Sequence, residues 1–268
     1  MVVVMGAVMY WFYVLLTALV PGFLATWLGV GGCFLRIPMI MYFFGTSIKE
    51  AYCVNQAVIA LTTVPGVIIH YKHGYVHRRG LLIASAAACL GVSLGAYAVA
   101  RYVPRLVLRA IFGMACALIG AYVLRGTLRG NRGARRVAGA EERPECGAKL
   151  FALMFLAGFA TGLCGFGGGI YFVPVFMGLG YATHVAIGTS SAEMIFTGGL
   201  GSSILAYHGH MNPSLFLSIG VPTLVASYLG AKAAKRSPPR VLRLAYAVLV
   251  SAVGLYVAVS ALAKLGFV

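Results

Sequence analysis

Residues 165–174 read GFGGGIYFVP, and residues 29–38 read GVGGCFLRIP. Three closely spaced glycines followed by a proline interrupt an otherwise apolar chain twice, 136 residues apart. Sliding the sequence against itself by 135 residues, without a gap, matches 51–110 to 186–245 at sixteen identical positions. Among these are Ala57/Ala192, Thr62/Thr197, Gly66/Gly201, His73/His208, Gly74/Gly209, and Leu94-Gly95-Ala96 with Leu229-Gly230-Ala231. The two shifts differ by one residue, so one residue was gained or lost between Pro38 and Ala51, and the chain is an internal duplication. Each copy is a glycine-broken region followed by three apolar runs.

Those runs cover 51–69, 81–100, 110–124, 186–207, 213–231 and 244–263. Each approaches the roughly 20 residues that a helix needs to cross a bilayer. Of 268 residues, 61% are hydrophobic and 10% charged, and none is aspartate, which excludes an ordinary soluble domain. The net charge of +16 does not mark a nucleic-acid surface, because Lys and Arg fall between the apolar runs, where they act as topology signals. The N-terminus has no basic segment ahead of its apolar stretch, an argument against a cleaved signal peptide. Six cysteines show no CxxC or CxxH spacing, and five lie in apolar segments as small hydrophobes, with no disulfide framework or metal site expected. The sequence contains no GxSxG, HExxH or GxxxxGK[ST], so neither an enzyme nor an ATP-driven pump is expected, and no cofactor.

The positive-inside rule selects a topology. If each broken region returns to the side it entered from, the loops 70–80, 125–149 and 231–243 share one side and hold 15 Lys and Arg, against five opposite. If each crosses once, the split is 11 to 9. The uneven split predicts an all-α polytopic membrane protein of two inverted repeats, each a glycine-broken re-entrant hairpin, or short helix pair, plus three transmembrane helices. Residues 1–125 and 150–268 are the repeats, and 126–149 a cytoplasmic, Arg-rich linker. Arg101, Arg105 and Arg109 run against the rule, falling on the outward side.

Short arms such as 150–164 and 170–182 span half to two thirds of a hydrocarbon core of about 30 Å. Non-helical backbone at that depth needs protein or a wet cavity around it, so the tips Gly29–Gly32 and Gly165–Gly169 are expected to face inward and meet near the midplane. A helix starting just after such glycines presents unpaired N–H groups and a positive dipole end to anions. Close packing of helices on small residues is the competing reading. The alignment sets Val54-Asn55-Gln56 against Thr189-Ser190-Ser191, a cluster of hydrogen-bonding groups that either coordinates an anion or joins helices. Arg36, with Phe172 in the aligned position, is a candidate fork for anion oxygens, or a partner for Glu193. Glu193, the one acidic residue within a confident crossing, is a candidate carrier of a coupling proton. His73 and His208, each before a glycine at a helix end, are expected to be turn residues at the membrane surface.

The GxGGG-x4-P phrase near the start of each half, AIGTSSAE at 186–193, and the LGA triplets resemble the TauE/SafE sulfite exporter family across nearly the whole chain. The first copy departs from the pattern, with Cys33 for the third glycine and AYCVNQA at 51–57 in place of the GTS phrase. The resemblance implies a secondary transporter in the bacterial inner membrane for sulfite, an organosulfonate or a related sulfur-containing anion. The expected site combines Gly31, Gly32, Cys33 and Arg36 with Asn55 and Gln56 from one half. Gly167, Gly168, Gly169, Thr189, Ser190 and Ser191 come from the other. A channel or a passive scaffold is the alternative, and assembly as a homo-oligomer is compatible with either.

Overall fold

The aligned runs become helices of matching length. The computed structural model describes residues 2–27, 31–128, 147–234 and 239–264, so Gly29 and most of the linker, 129–146, lie outside the described residues. Ten helices are present among the described residues, and no strand. The first half holds α1 (Val2–Trp27), α2 (Cys33–Phe43), α3 (Ile48–Lys72), α4 (Arg78–Arg101) and α5 (Arg105–Leu128). The second holds α6 (Ala148–Cys164), α7 (Gly169–Gly178), α8 (Thr183–Tyr207), α9 (Pro213–Ala234) and α10 (Pro239–Lys264). α3 and α8 begin and end at positions 135 apart, the shift read from the sequence.

Local chemistry sets these ends. Ser47 and Glu50 form a reciprocal cap at the start of α3, with Glu50 N donating to Ser47 Oγ at 3.3 Å and Ser47 N donating to Glu50 Oε2 at 2.8 Å. At the far end the Nδ1 of His73 bonds to Ile69 O at 2.8 Å, and His208 bonds to Ile204 O at the same distance. The two histidines are turn residues, each engaging the last turn of its own helix.

α1 packs along α9 and α6 packs along α4, so each half lends its first helix to the other half. α5 lies along α10, and α3 along α8. Small residues allow these contacts. A Cβ on Gly91 of α4 would fall 2.2 Å from Phe155 O of α6, and one on Gly158 of α6 would fall 2.3 Å from Ala88 O of α4. Two backbones therefore meet through facing glycines in GxxxG spacing. α3 and α8 run in opposite directions. Cys53 near the start of α3 donates its thiol to Ser202 O near the end of α8, at 3.4 Å, while Tyr75 just past α3 stacks on His184 at the start of α8, at 5.3 Å.

The outer surface is apolar, with Leu82 and Leu118 each 72% exposed, while Arg36, Asn55, Gln56, Ser190 and Glu193 are fully buried. That inside-out distribution suits a lipid environment. Val8–Trp27, Ile48–Lys72, Arg78–Arg101 and Pro213–Gly230 are each long and apolar enough to cross a membrane. The first of them differs from the sequence reading, which gave each glycine-broken region short arms. α1 has 26 residues because nothing breaks its apolar run before the glycines, Pro21 being accommodated within the helix. α2, with 11 residues, folds back beside it. Tyr13 stacks on Phe43 with ring centres 4.7 Å apart, and Tyr10 meets Phe44 at 5.7 Å. The first broken region is thus a hairpin of unequal arms, whereas α6 and α7, at 17 and 10 residues, match the expected short pair. Cys33, Cys53, Cys116 and Cys164 are buried and unbridged, Cys89 is half-buried, and Cys146 lies outside the described residues.

Candidate functional site

Gly31-Gly32 and Gly165–Gly168 form the two hairpin tips, and both stretches are buried. Gly32 precedes α2 with φ of 62°, and Gly168 precedes α7 with φ of 103°. Both are left-handed conformations that side chains rarely adopt. A Cβ on Gly32 would lie 2.2 Å from Pro21 O of α1, and one on Gly168 would lie 1.9 Å from the Phe172 ring. The immediate need for glycine is therefore the tight turn within each hairpin. Cys33 and Gly169 occupy the matching first positions of α2 and α7.

The tips converge on one pair of aligned residues. A Cβ on Gly31 would lie 3.4 Å from Ile59 and 3.5 Å from Met194, and one on Gly167 would lie 2.6 Å from Ile59. Ile59 and Met194 are related by the 135-residue shift and belong to the packed pair α3 and α8. Thr197 Oγ1 donates to Gly167 O at 3.4 Å, which ties the second tip to α8.

Arg36 sits one turn into α2 and is 0% exposed. Its Nη1 donates to Asn55 Oδ1 at 3.3 Å, and Asn55 Nδ2 donates in turn to Gly165 O at 2.8 Å. Asn55 thus links the arginine of the first hairpin to the tip of the second, and both ends of its amide are engaged. Nε and Nη2 of Arg36 have no hydrogen-bond partner among the described residues. These two atoms form one edge of the guanidinium, the fork that meets two oxygens of an oxyanion side-on. A buried charge without a counter-ion costs several kcal/mol, so burial of this fork is not explained by packing. At the second tip, a Cβ on Gly165 would fall 2.4 Å from the Tyr52 ring, and Phe112 of α5 packs on Phe166 at 4.9 Å.

The remaining candidates divide. Among the described residues, Gln56 has neither amide atom bonded, and Ser190 Oγ is also without a partner. Thr189 Oγ1 instead accepts from His77 N at 3.0 Å, at the α3–α4 loop, and Ser191 Oγ donates to Ile187 O of its own helix at 2.8 Å. Glu193 does not reach Arg36. Its Oε2 accepts from Ser85 Oγ of α4 at 2.8 Å, and its Oε1 has no partner. Ile59, Met194, Tyr52 and Ser85 escaped the sequence reading. Ser85 aligns with Gly220 and Ile59 with Met194, so a search for identities passes over both pairs. Among the described residues no group of three or more His, Cys, Asp or Glu is placed to hold a metal ion.

A multi-pass helical chain with paired hairpins converging between its halves, and a buried cation at their junction, defines a membrane transporter. The family described as Sulfite exporter TauE/SafE matches residues 14–257, and the chain belongs to it. It is 26% identical over 243 residues to a probable membrane transporter protein of Xylella fastidiosa (strain Temecula1), covering 88% of this chain and 90% of that one. It is 21% identical over 260 residues to a probable membrane transporter protein of Methanocaldococcus jannaschii, covering 90% and 93%. No solved structure matches it.

Proposed function

We propose that the protein is a secondary transporter for small sulfur oxyanions, sulfite or a related sulfonate, in the bacterial inner membrane. The observation that carries this is the unpartnered Nε/Nη2 edge of buried Arg36, held against the second hairpin tip by Asn55. A fork of two parallel donors selects an ion with two adjacent oxygens over a halide or a cation. The family description names sulfite, which has such oxygens. Ser190 and Gln56, on α8 and α3, hold unbonded neutral groups that can serve a bound anion without adding charge. Binding held mainly by neutral donors and one cation lets the anion leave again, as transport requires.

The two halves lie inverted across the membrane in this reading, with 126–149 and 231–243 cytoplasmic. The opposite directions of α3 and α8 support it, as does the uneven distribution of Lys and Arg. Single cysteines at 129–146 are expected to react with an impermeant thiol reagent only after the cells are opened, and those at 210–212 to react in intact cells. The reverse pattern would reject the assigned sidedness.

Glu193 is the proton-coupling group of this reading, since it is buried and one oxygen is unbonded. In proteoliposomes under an imposed pH gradient, sulfite or a sulfonate from a panel with sulfate, thiosulfate and taurine is expected to accumulate. Glu193→Gln keeps the shape and removes the proton, so it is expected to abolish accumulation while leaving anion exchange in place. Full gradient-driven uptake by this variant would move the coupling group elsewhere. No flux of any anion by the unaltered protein would reject the function itself.

A further inference from the structure

Three basic residues on the outward side, Arg101, Arg105 and Arg109, contravene the positive-inside rule, and the Arg36 site does not use them. In the fold they gather with others. Lys49 Nζ donates to Ala100 O at 3.2 Å, which brings the start of α3 against the end of α4, next to Arg101. Lys49 and Arg105 are close enough to act on each other electrostatically, and His210, from the loop after α8, feels both along with His208. Burial first, and then the charge of Lys49, holds His210 below its ordinary value. The nearby carboxylate, Glu50, is engaged with the backbone N–H of Ser47. The groups therefore assemble from α3, α5 and the α8–α9 loop, from both halves of the chain, with positive charge in excess.

This cluster stands over the Arg36 site. Asn55 lies six residues beyond Lys49 on α3, about 9 Å deeper at a rise of about 1.5 Å per residue. Between them, Tyr52 OH donates to Leu108 O of α5 at 3.5 Å, and the same tyrosine ring lies against the second tip. On α5, Arg109 follows Arg105 by one turn, and its Nε is buried without a partner. Phe112, three residues further, touches Phe166 in that tip. Positive groups thus descend along the α3–α5 seam, from Lys49 and Arg105 through Arg109 toward Arg36. The matched positions at the other end of the molecule are different. The 135-residue shift places His184 for Lys49, Tyr75 for His210 and Leu244 for Arg109, while Arg101 and Arg105 keep basic counterparts, Arg236 and Arg240. There Tyr75 and His184 stack as rings.

We propose that Lys49, Arg105 and Arg109, with His210, form an oxyanion-loading vestibule at the mouth where α3 and α5 begin, which draws the transported anion from solution and passes it to Arg36. This rests on the transporter reading above and adds a second binding position and a polarity to it. Clefts lined by one sign of charge raise the local concentration of an oppositely charged ligand, and salt removes the effect. The phosphate of an anionic lipid headgroup offers the same chemistry as a soluble oxyanion, so the test must separate the two sources.

Sulfite transport is measured in right-side-out and everted vesicles, at low and high ionic strength, for the unaltered protein, Arg105→Gln, Lys49→Gln with Arg105→Gln, and the charge-retaining Arg105→Lys. At low ionic strength the double variant is expected to raise KM by roughly fivefold or more on one face, within the range for electrostatic steering, with kcat nearly unchanged. The difference should shrink at high salt, Arg105→Lys should behave as the unaltered protein, and the other face should not respond. The same shift in proteoliposomes of purely zwitterionic lipid assigns the vestibule to the soluble anion. Equal KM values, a loss confined to kcat, or an effect that needs anionic lipid overturns the proposal while leaving the Arg36 site standing. Absence of flux in the unaltered protein overturns both.

Discussion

Arg36→Met is expected to abolish oxyanion transport, by at least about a hundredfold in kcat/KM, while the protein still inserts and becomes no less stable. Two charge-assisted hydrogen bonds, at about 1.5–3 kcal/mol each, account for a loss of that size. The stability half of the expectation is what separates function from structure. Arg36 is 0% exposed and has two unpartnered nitrogens, so an apolar side chain of similar length removes an uncompensated buried charge. Such replacements are often neutral or stabilising. The bond of its guanidinium to Asn55, at 3.3 Å, is long, and Asn55 remains anchored on Gly165 O without it. Arg36→Lys keeps the charge but not the fork, so it should retain only a small part of the transport. Flux in proteoliposomes, anion binding by calorimetry and thermal unfolding in detergent measure the three quantities. A Met variant that transports normally would falsify the anion site. One that unfolds at a markedly lower temperature would make Arg36 a structural residue.

The duplication was legible because spacing survives where identity does not. Sixteen matches sufficed to set the register, and the ends of α3 and α8 fall at the same 135-residue interval. The breaks at Gly31-Gly32 and Gly167-Gly168 could be read because few residues other than glycine adopt those backbone angles. The length of α1 could not, since an apolar run records where a helix is compatible with lipid and not where its neighbour turns back. Partners across the fold were also hidden. Asn55 was recognisable as a polar residue in a crossing, yet its commitment to Gly165 O and Arg36 depends on α2 and α6 meeting α3, which no local pattern encodes. Thr189 and Ser191 belonged to a promising triplet, but helical geometry turns one toward His77 and lets the other bond its own backbone, leaving Ser190. Glu193 and Arg36, opposite charges in one bundle, face different helices.

Substitution at the tips carries the second large effect, and its size should differ between the halves in the direction opposite to the family resemblance. The second phrase, GFGGGIYFVP, is the better match to the family pattern, which would make Gly168 the more sensitive position. The packing predicts otherwise for alanine. A Cβ on Gly168 meets the ring of Phe172, a side chain that can turn, whereas a Cβ on Gly32 meets Pro21 O at 2.2 Å and Ala25 Cβ at 3.1 Å, backbone and core of α1 that cannot. Both substitutions also incur the left-handed penalty of about 1–2 kcal/mol. Gly32→Ala is therefore expected to abolish transport and lower the thermal midpoint, and a second change at a neighbouring side chain should not restore it. Gly168→Ala should be the milder, with partial recovery when Phe172 is shortened to leucine, while Gly168→Val, branched at Cβ, should lose transport outright. Unfolding temperature and flux measured on the four variants decide the point. If Gly32→Ala transports normally, the first hairpin does not hold α2 against α1 at Pro21, and Arg36 loses the support that places its fork beside Asn55.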